Sequence, residues 1–161
     1  MSIEKVRVFF DERGMGEKVM EFPVSSATVE EAAIAVGAIP ARIAKSLTFM
    51  SKDGKCIMIV AAGDTKIDNS KFKQKFATKA KMLTPDEVVA FTGHAIGGVC
   101  PFAIPEDVSV YLDEGLKRFV TVFPACGSSN SAIELTCDEL FSLSGAIEWA
   151  DVCKPIAPIT E

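Results

Sequence analysis

The stretch "ARIAKSLTFMSKDGKCIMIVAA", Ala41 to Ala62, reads as two strands joined by a tight turn. From Ile43 onward its first half alternates. Ile43, Leu47 and Phe49 share one face with Lys45 among them, and Ala44, Ser46, Thr48 and Met50 take the other. Its second half, Cys56 to Ala62, is an unbroken apolar run of strand length. Between them Asp53-Gly54 favours the backbone of a hairpin turn, so at least one strand pair is antiparallel. Lys45 is the anomaly. An ammonium on the apolar side of a central strand is costly to desolvate without an anionic partner. Either it snorkels to the sheet edge or it is the working part of the molecule.

Working outward from the hairpin, three helix starts are legible. Thr28-x-x-Glu31, Thr84-x-x-Glu87 and Thr136-x-x-Glu139 each fit a capping box, Pro85 reinforces the second, and Gly37, Gly93 and Gly145 follow as stops. A helix over residues 2–13 turns Ile3, Val6, Phe9 and Phe10 inward and ends at Gly14. Another over residues 69–77 buries Phe72 and Phe76 and leaves its lysines outside. Further strands are expected at about residues 18–22, 108–112, 118–123 and 131–136. Helices and strands interleave without a regular βαβ rhythm, so the expected class is α+β with a mixed, curved sheet. One domain is expected over residues 1–154, with 155–161 a loose C-terminal tail.

The 161 residues suffice for one real core, and 48% hydrophobic with 24% charged residues is an ordinary globular composition. The longest apolar run falls far short of a membrane span, and the mixed-charge N-terminus does not read as a secretory signal. A cytoplasmic protein is expected. Five cysteines without C-x-x-C spacing and a single histidine, His94, argue against a zinc site and a disulfide framework. The net charge of −5 argues against bulk nucleic-acid affinity. Yet "KIDNSKFKQKFATKAK", Lys66 to Lys81, sets Lys66, Lys71, Lys73, Lys75, Lys79 and Lys81 against one aspartate. It reads as a solvated face or as a local phosphate-binding patch.

Two loops complete the candidates. "FTGHAIGGVCPFAIP", Phe91 to Pro105, combines glycines that allow close backbone approach with stiffening prolines. Its spacing matches neither a P-loop nor a dinucleotide fingerprint, and it fits a turn as well as a binding loop. "FPACGSSNSAIEL", Phe123 to Leu135, places small polar residues between strands. Cys126 there lacks a partner base other than the distant His94.

Lys45 in "ARIAKSLTF", "VAAGDTKIDNSKF", "TGHAIGGVCPF" and the late "GSSNSAIEL" occur in the order seen in the YbaK/prolyl-tRNA-editing family, which the chain resembles over about residues 6–152. The resemblance implies a mixed, partly barrel-like sheet wrapped by helices. It also implies an aminoacyl-tRNA deacylase acting in trans, most often on tRNA for proline carrying a small wrong residue such as alanine or cysteine. Lys45 takes the family's essential strand lysine. Gly97, Gly98, Val99, Cys100, Pro101 and His94, with Gly127 and Ser128 of the later loop, take the amino-acid pocket. Lys66, Lys71, Lys73 and Lys75 take the terminal nucleotides of the tRNA. The partners implied are the aminoacyl-tRNA 3′ end and prolyl-tRNA synthetase, with no cofactor, metal or membrane. Lys45 and the loop amides would then position the ester for attack by water or by a cysteinyl substrate's own thiol. Two other classes stay open: a tRNA- or nucleotide-binding module without hydrolysis, and a synthetase-associated adaptor.

Overall fold

The computed structural model describes residues 2–156. In chain order its helices are α1 (Ser2–Asp11), α2 (Val29–Val36), α3 (Asn69–Phe76), α4 (Pro85–Thr92) and α5 (Cys137–Ser144). Its strands are β1 (Met20–Glu21), β2 (Ile43–Met50), β3 (Cys56–Ala62), β4 (Thr65–Ile67), β5 (Ser109–Asp113), β6 (Thr121–Pro124), β7 (Ser131–Ala132), β8 (Leu135–Thr136), β9 (Glu148–Ala150) and β10 (Cys153–Pro155). The class is α+β. Six strands in the order β8-β6-β2-β3-β5-β9 curl into a half-barrel.

The β2–β3 hairpin is the centre of that sheet. β2 pairs antiparallel with β3 from Ala44↔Ala62 to Met50↔Cys56, and Gly54 sits in the turn at φ 80°. β3 is buried at every position because both its faces are covered. On one face Met58 and Val60 pack with Val6, Phe10 and Phe102. On the other Ile57, Ile59 and Ala61 pack with Phe49 and Phe72, whose rings lie 4.9 Å apart. The parallel ladders β2–β6, β3–β5 and β5–β9 make the sheet mixed. All three capping boxes form, with each threonine hydroxyl accepting from the third helical amide.

Several elements differ from expectation. The strand expected at 18–22 shrinks to β1, preceded by a 3-10 turn at Gly16–Lys18. The strand expected from 118 starts at Thr121, because Asp113 caps a 3-10 turn over Glu114–Arg118. The expected run 131–136 breaks in two. β7 pairs with β1 and β8 with β6, while Ile133 donates to the Pro124 carbonyl between them. β4, β9 and β10 were not expected, since three residues are too few to display a period of two. β10 also takes Pro155, expected to be loose, into an antiparallel ribbon with β4, and the Ile156 amide donates to the Asp64 carbonyl. The rest of the expected tail, residues 157–161, lies outside the described residues. No helix among the described residues is long and apolar enough to cross a membrane.

Candidate active site

β2 has only a partial neighbour on the side away from β3. Its ladder with β6 covers Ile43 and Ala44 alone. Farther along, Met50 donates to the Lys81 carbonyl and Leu83 donates to the Thr48 carbonyl. Between these two seams the strands splay apart, and a cavity of about 310 Å³ opens at the uncovered edge. That is the small end of the range of ligand pockets, roughly 300–1,000 Å³. Its walls are mostly apolar, with Val29 and Ala32 of α2, Ile43, Val88, Val99 and Phe123 among them. Lys45, Ser46 and Thr48 bring the polar atoms of β2 to it.

Lys45 occupies the gap between two apolar clusters on one sheet face. Ile43 packs with Ala32, Ala33 and Phe123 on one side of it, and Phe49 packs with Ile59, Ala61 and Phe72 on the other. Its side chain is half-buried and reaches across β3 to the β3–β4 turn. There its Nζ donates to the Thr65 carbonyl and, at 3.5 Å, to the Gly63 carbonyl. Gly63 is required at that turn, because a Cβ would fall 2.1 Å from the Pro40 carbonyl oxygen. Lys45 forms no ion pair among the described residues. The nearby Asp64 carboxylate is held by both terminal guanidinium nitrogens of Arg118, at 3.0 and 2.6 Å. Burial lowers the Lys45 pKa from its ordinary 10.5, against the opposing pull of Cys153, Asp64 and Glu30. An ammonium has three donors. With two directed at fixed carbonyls, the third is left to the cavity.

Ser46 is the residue the sequence reading passed over. Its Oγ is buried, and no hydrogen-bond partner meets it among the described residues. The alternation that sends the Thr48 carbonyl and the Met50 amide away from β3 sends the Ser46 amide and carbonyl the same way, into the splayed gap. The sequence signal was only its place beside Lys45 in the strand.

The two loops are stacked backbone against backbone. A Cβ on Gly98 would lie 2.6 Å from the Ser128 nitrogen and 2.7 Å from the Gly127 carbonyl carbon. This contact joins "TGHAIGGVCPF" to "FPACGSSNSAIEL", as no local pattern could reveal. Of the pocket residues expected, Gly97 and Val99 line the cavity. Gly98, Cys100, Pro101, Gly127, Ser128 and His94 do not, and of these Gly98 packs against the main chain of Gly127 and Ser128.

His94 is fully buried. Its Nε2 lies 2.8 Å from the Phe102 carbonyl, which can only accept, so Nε2 carries the proton and Nδ1 accepts from the Ser2 hydroxyl at 2.9 Å. Cys100 Sγ lies 3.6 Å from the same Nε2. A protonated nitrogen cannot take the thiol's proton, so the pair is not a nucleophile with its base. Burial also pushes the Cys100 thiol up to about 12, and the Cys126 thiol well above its ordinary value. Neither is a thiolate near neutral pH.

The basic segment divides. Lys71 pairs with Asp151 at 2.9 Å, and Lys75 pairs with Glu148. These carboxylates come from the far end of the chain, which corrects the reading of six lysines opposed by one aspartate. Lys66 and Lys73 are exposed and form no ion pair among the described residues. Also among the described residues, no group of three His, Cys, Asp or Glu side chains is placed to hold a metal ion.

Fold and site together define a class: a half-barrel α+β domain that presents one lysine to a small, mostly apolar pocket at a splayed strand edge. The chain belongs to the aminoacyl-tRNA editing domain family, whose profile matches residues 24–143. YwhH of Bacillus subtilis (strain 168), itself uncharacterized, is 56% identical over 154 residues, 96% of this chain and 98% of that one. EbsC of Enterococcus faecalis (strain ATCC 700802 / V583), named as a candidate Cys-tRNA(Pro)/Cys-tRNA(Cys) deacylase, is 25% identical over 126 residues, 78% of this chain and 76% of that one. A crystal structure described as a candidate trans-editing enzyme for prolyl-tRNA synthetase superposes with a TM-score of 0.85 at 36% identity, over 95% of this chain and 97% of that one. The family and these neighbours support aminoacyl-tRNA trans-editing.

Proposed function

We propose that this chain is a trans-acting deacylase that hydrolyses the ester between a small, wrong amino acid and tRNA, with tRNA for proline carrying alanine or cysteine as the first substrate to test. The observation that carries the reading is the Lys45 ammonium, fixed by the Thr65 and Gly63 carbonyls and directed at a cavity of aminoacyl size. Family membership supports it.

In this reading the aminoacyl group enters the cavity and its ester carbonyl meets Lys45. Water, or the thiol of a cysteinyl substrate, adds to the carbonyl carbon. The oxyanion that forms is stabilised by an ammonium whose hydration is already replaced by fixed dipoles. Collapse of the intermediate expels the terminal ribose oxygen, which takes up a proton, and releases the tRNA. Attack by water yields the free amino acid directly, whereas attack by the cysteinyl thiol yields a cyclic thioester that water then opens to the free amino acid. Ser46, with an unpartnered hydroxyl and an edge amide, orients the ester or the amino group. No protein nucleophile is required.

The lining favours a small, uncharged side chain. One methylene contributes only about 1–3 kcal/mol of discrimination by attraction, so a cyclic residue such as proline is rejected by shape. Val99 and Gly97 form that wall, and the Gly98–Ser128 contact stiffens it from behind. Single-turnover deacylation against a panel of mischarged tRNAs tests the proposal. Hydrolysis of Ala- or Cys-tRNA faster than Pro-tRNA is the expected result, and no acceleration on any member of the panel overturns it.

A further inference from the structure

The ribbon formed by β4 and β10 sets two lysines directly opposite each other. Lys66 and Lys154 are register partners in the antiparallel pair, and both are exposed. Directly opposed residues have Cβ atoms about 4.5–5.5 Å apart, and like charges in that relation destabilise a sheet. Lys71 is neutralised by Asp151, Lys75 by Glu148 and Arg118 by Asp64, while Lys73 is exposed and forms no ion pair among the described residues. Lys66 and Lys154 form no ion pair among the described residues. The Asp68 carboxylate, which caps α3 by accepting from the Lys71 amide, interacts electrostatically with Lys154 without forming an ion pair with it. Residues on the buried side of the ribbon, Thr65 and Cys153, alternate with the two lysines, so both ammonium stems rise from the outer face.

The position of this pair matters. Lys66 directly follows Thr65, whose carbonyl anchors Lys45. Any anion seated on the ribbon therefore lies next to the backbone that fixes the candidate catalytic ammonium. Two opposed lysines without an ion-pair partner among the described residues are the arrangement expected of a seat for an external anion, and a nucleic-acid backbone delivers one at each nucleotide.

We propose that Lys66 and Lys154 form a two-lysine seat for a phosphodiester of the tRNA acceptor strand, and that this seat, rather than the ion-paired Lys71 and Lys75 of α3, sets the register of the 3′ end at Lys45. The proposal rests on the deacylase reading for the identity of the RNA, and it adds Lys154 as a binding residue. Lys71 and Lys75 are structural ion-pair partners in this account.

The test uses the full chain and uncharged tRNA, with affinity measured across a salt series. Replacing both Lys66 and Lys154 with Met removes the charges and keeps the apolar stems. The slope of log affinity against log salt should fall by roughly 0.7–0.9 for each lost contact, while Lys75→Met leaves it unchanged. Lys66→Arg with Lys154→Arg should restore the slope. Thermal melting of the Met variant should show an unchanged or raised midpoint, because the repulsion is gone. Single-turnover deacylation at saturating enzyme should fall in the double Met variant and recover in the double Arg variant, because the seat sets the register of the ester at Lys45; a rate equal to wild type overturns that register role. An unchanged slope in the double Met variant overturns the seat, as does an equal fall in Lys75→Met. A wild-type protein that binds tRNA through the seat yet deacylates nothing would leave the seat standing and remove the deacylase reading, so the two failures are distinguishable.

Discussion

The Nζ of Lys45 donates to the main-chain carbonyl of Thr65, 20 positions later in the chain. The bond crosses β3 and turns a costly buried cation into a fixed donor. Main-chain carbonyls supply its hydrogen bonds, and no carboxylate forms an ion pair with it among the described residues, so the ammonium stays available to a substrate.

Lys45→Ala should therefore lose at least ~100-fold in single-turnover deacylation, the scale of removing one oxyanion donor. Burial holds the ammonium below its ordinary pKa of 10.5. The enzymatic acceleration over spontaneous hydrolysis should accordingly decline with rising pH before 10.5 is reached. Lys45→Arg, charged throughout this range, should abolish that decline in whatever activity it retains. A wild-type acceleration that holds constant up to pH 10.5 would sink the ammonium mechanism.

Gly98→Ala should act through the fold before it acts through the pocket. The added Cβ meets the main chain of Gly127 and Ser128 rather than a flexible side chain, so the two loops must part. A loss of about 1–3 kcal/mol is expected, equivalent to a fall of roughly 2–12 °C in melting temperature. Val99→Ala lies on the cavity wall itself. It should instead relax amino-acid preference with a smaller effect on melting. If Gly98→Ala melts like wild type, the loop contact has been misread.

Cys126→Ala and Cys100→Ala should keep measurable deacylation once corrected for folded fraction, because neither thiol ionises near neutral pH. Alkylation of the native protein at neutral pH should leave both unmodified, as read by mass spectrometry. Loss of all activity in a folded Cys126→Ala protein would restore the cysteine-nucleophile reading.

His94 should make stability depend on pH. Burial holds its pKa below the ordinary 6.5, so in the window beneath 6.5 the unfolded chain binds a proton that the native chain resists. Stability should fall as pH drops through 6.5 and should level off below the native pKa. His94→Gln should remove that dependence and cost about 1–3 kcal/mol at neutral pH, by leaving the Ser2 hydroxyl or the Phe102 carbonyl without its partner. Denaturant melts between pH 5 and 8 decide the point, and an identical pH slope in the two proteins would count against it.

The sequence by itself determined the central hairpin, the three capped helices and the anomaly at Lys45. Each is a local matter. A period of two, a capping box and an Asp-Gly turn are written in adjacent residues, and the energies that select them act over a few positions. The Gly97 loop was not settled locally, since its glycines and prolines fit a turn as well as a binding loop, and only the family resemblance set it at the pocket. Tertiary structure alone decided the rest. Lys45 finds its carbonyl at Thr65, Lys71 and Lys75 find their carboxylates at Asp151 and Glu148, and Lys66 meets Lys154 across a ribbon whose strands are three residues each. The two glycine loops meet at Gly98 and Ser128. In every case the partners are distant in sequence, and only the closing of the half-barrel brings them together. Electrostatics and steric contact act through space, so a window of residues reveals the charge or the glycine without showing what it will face.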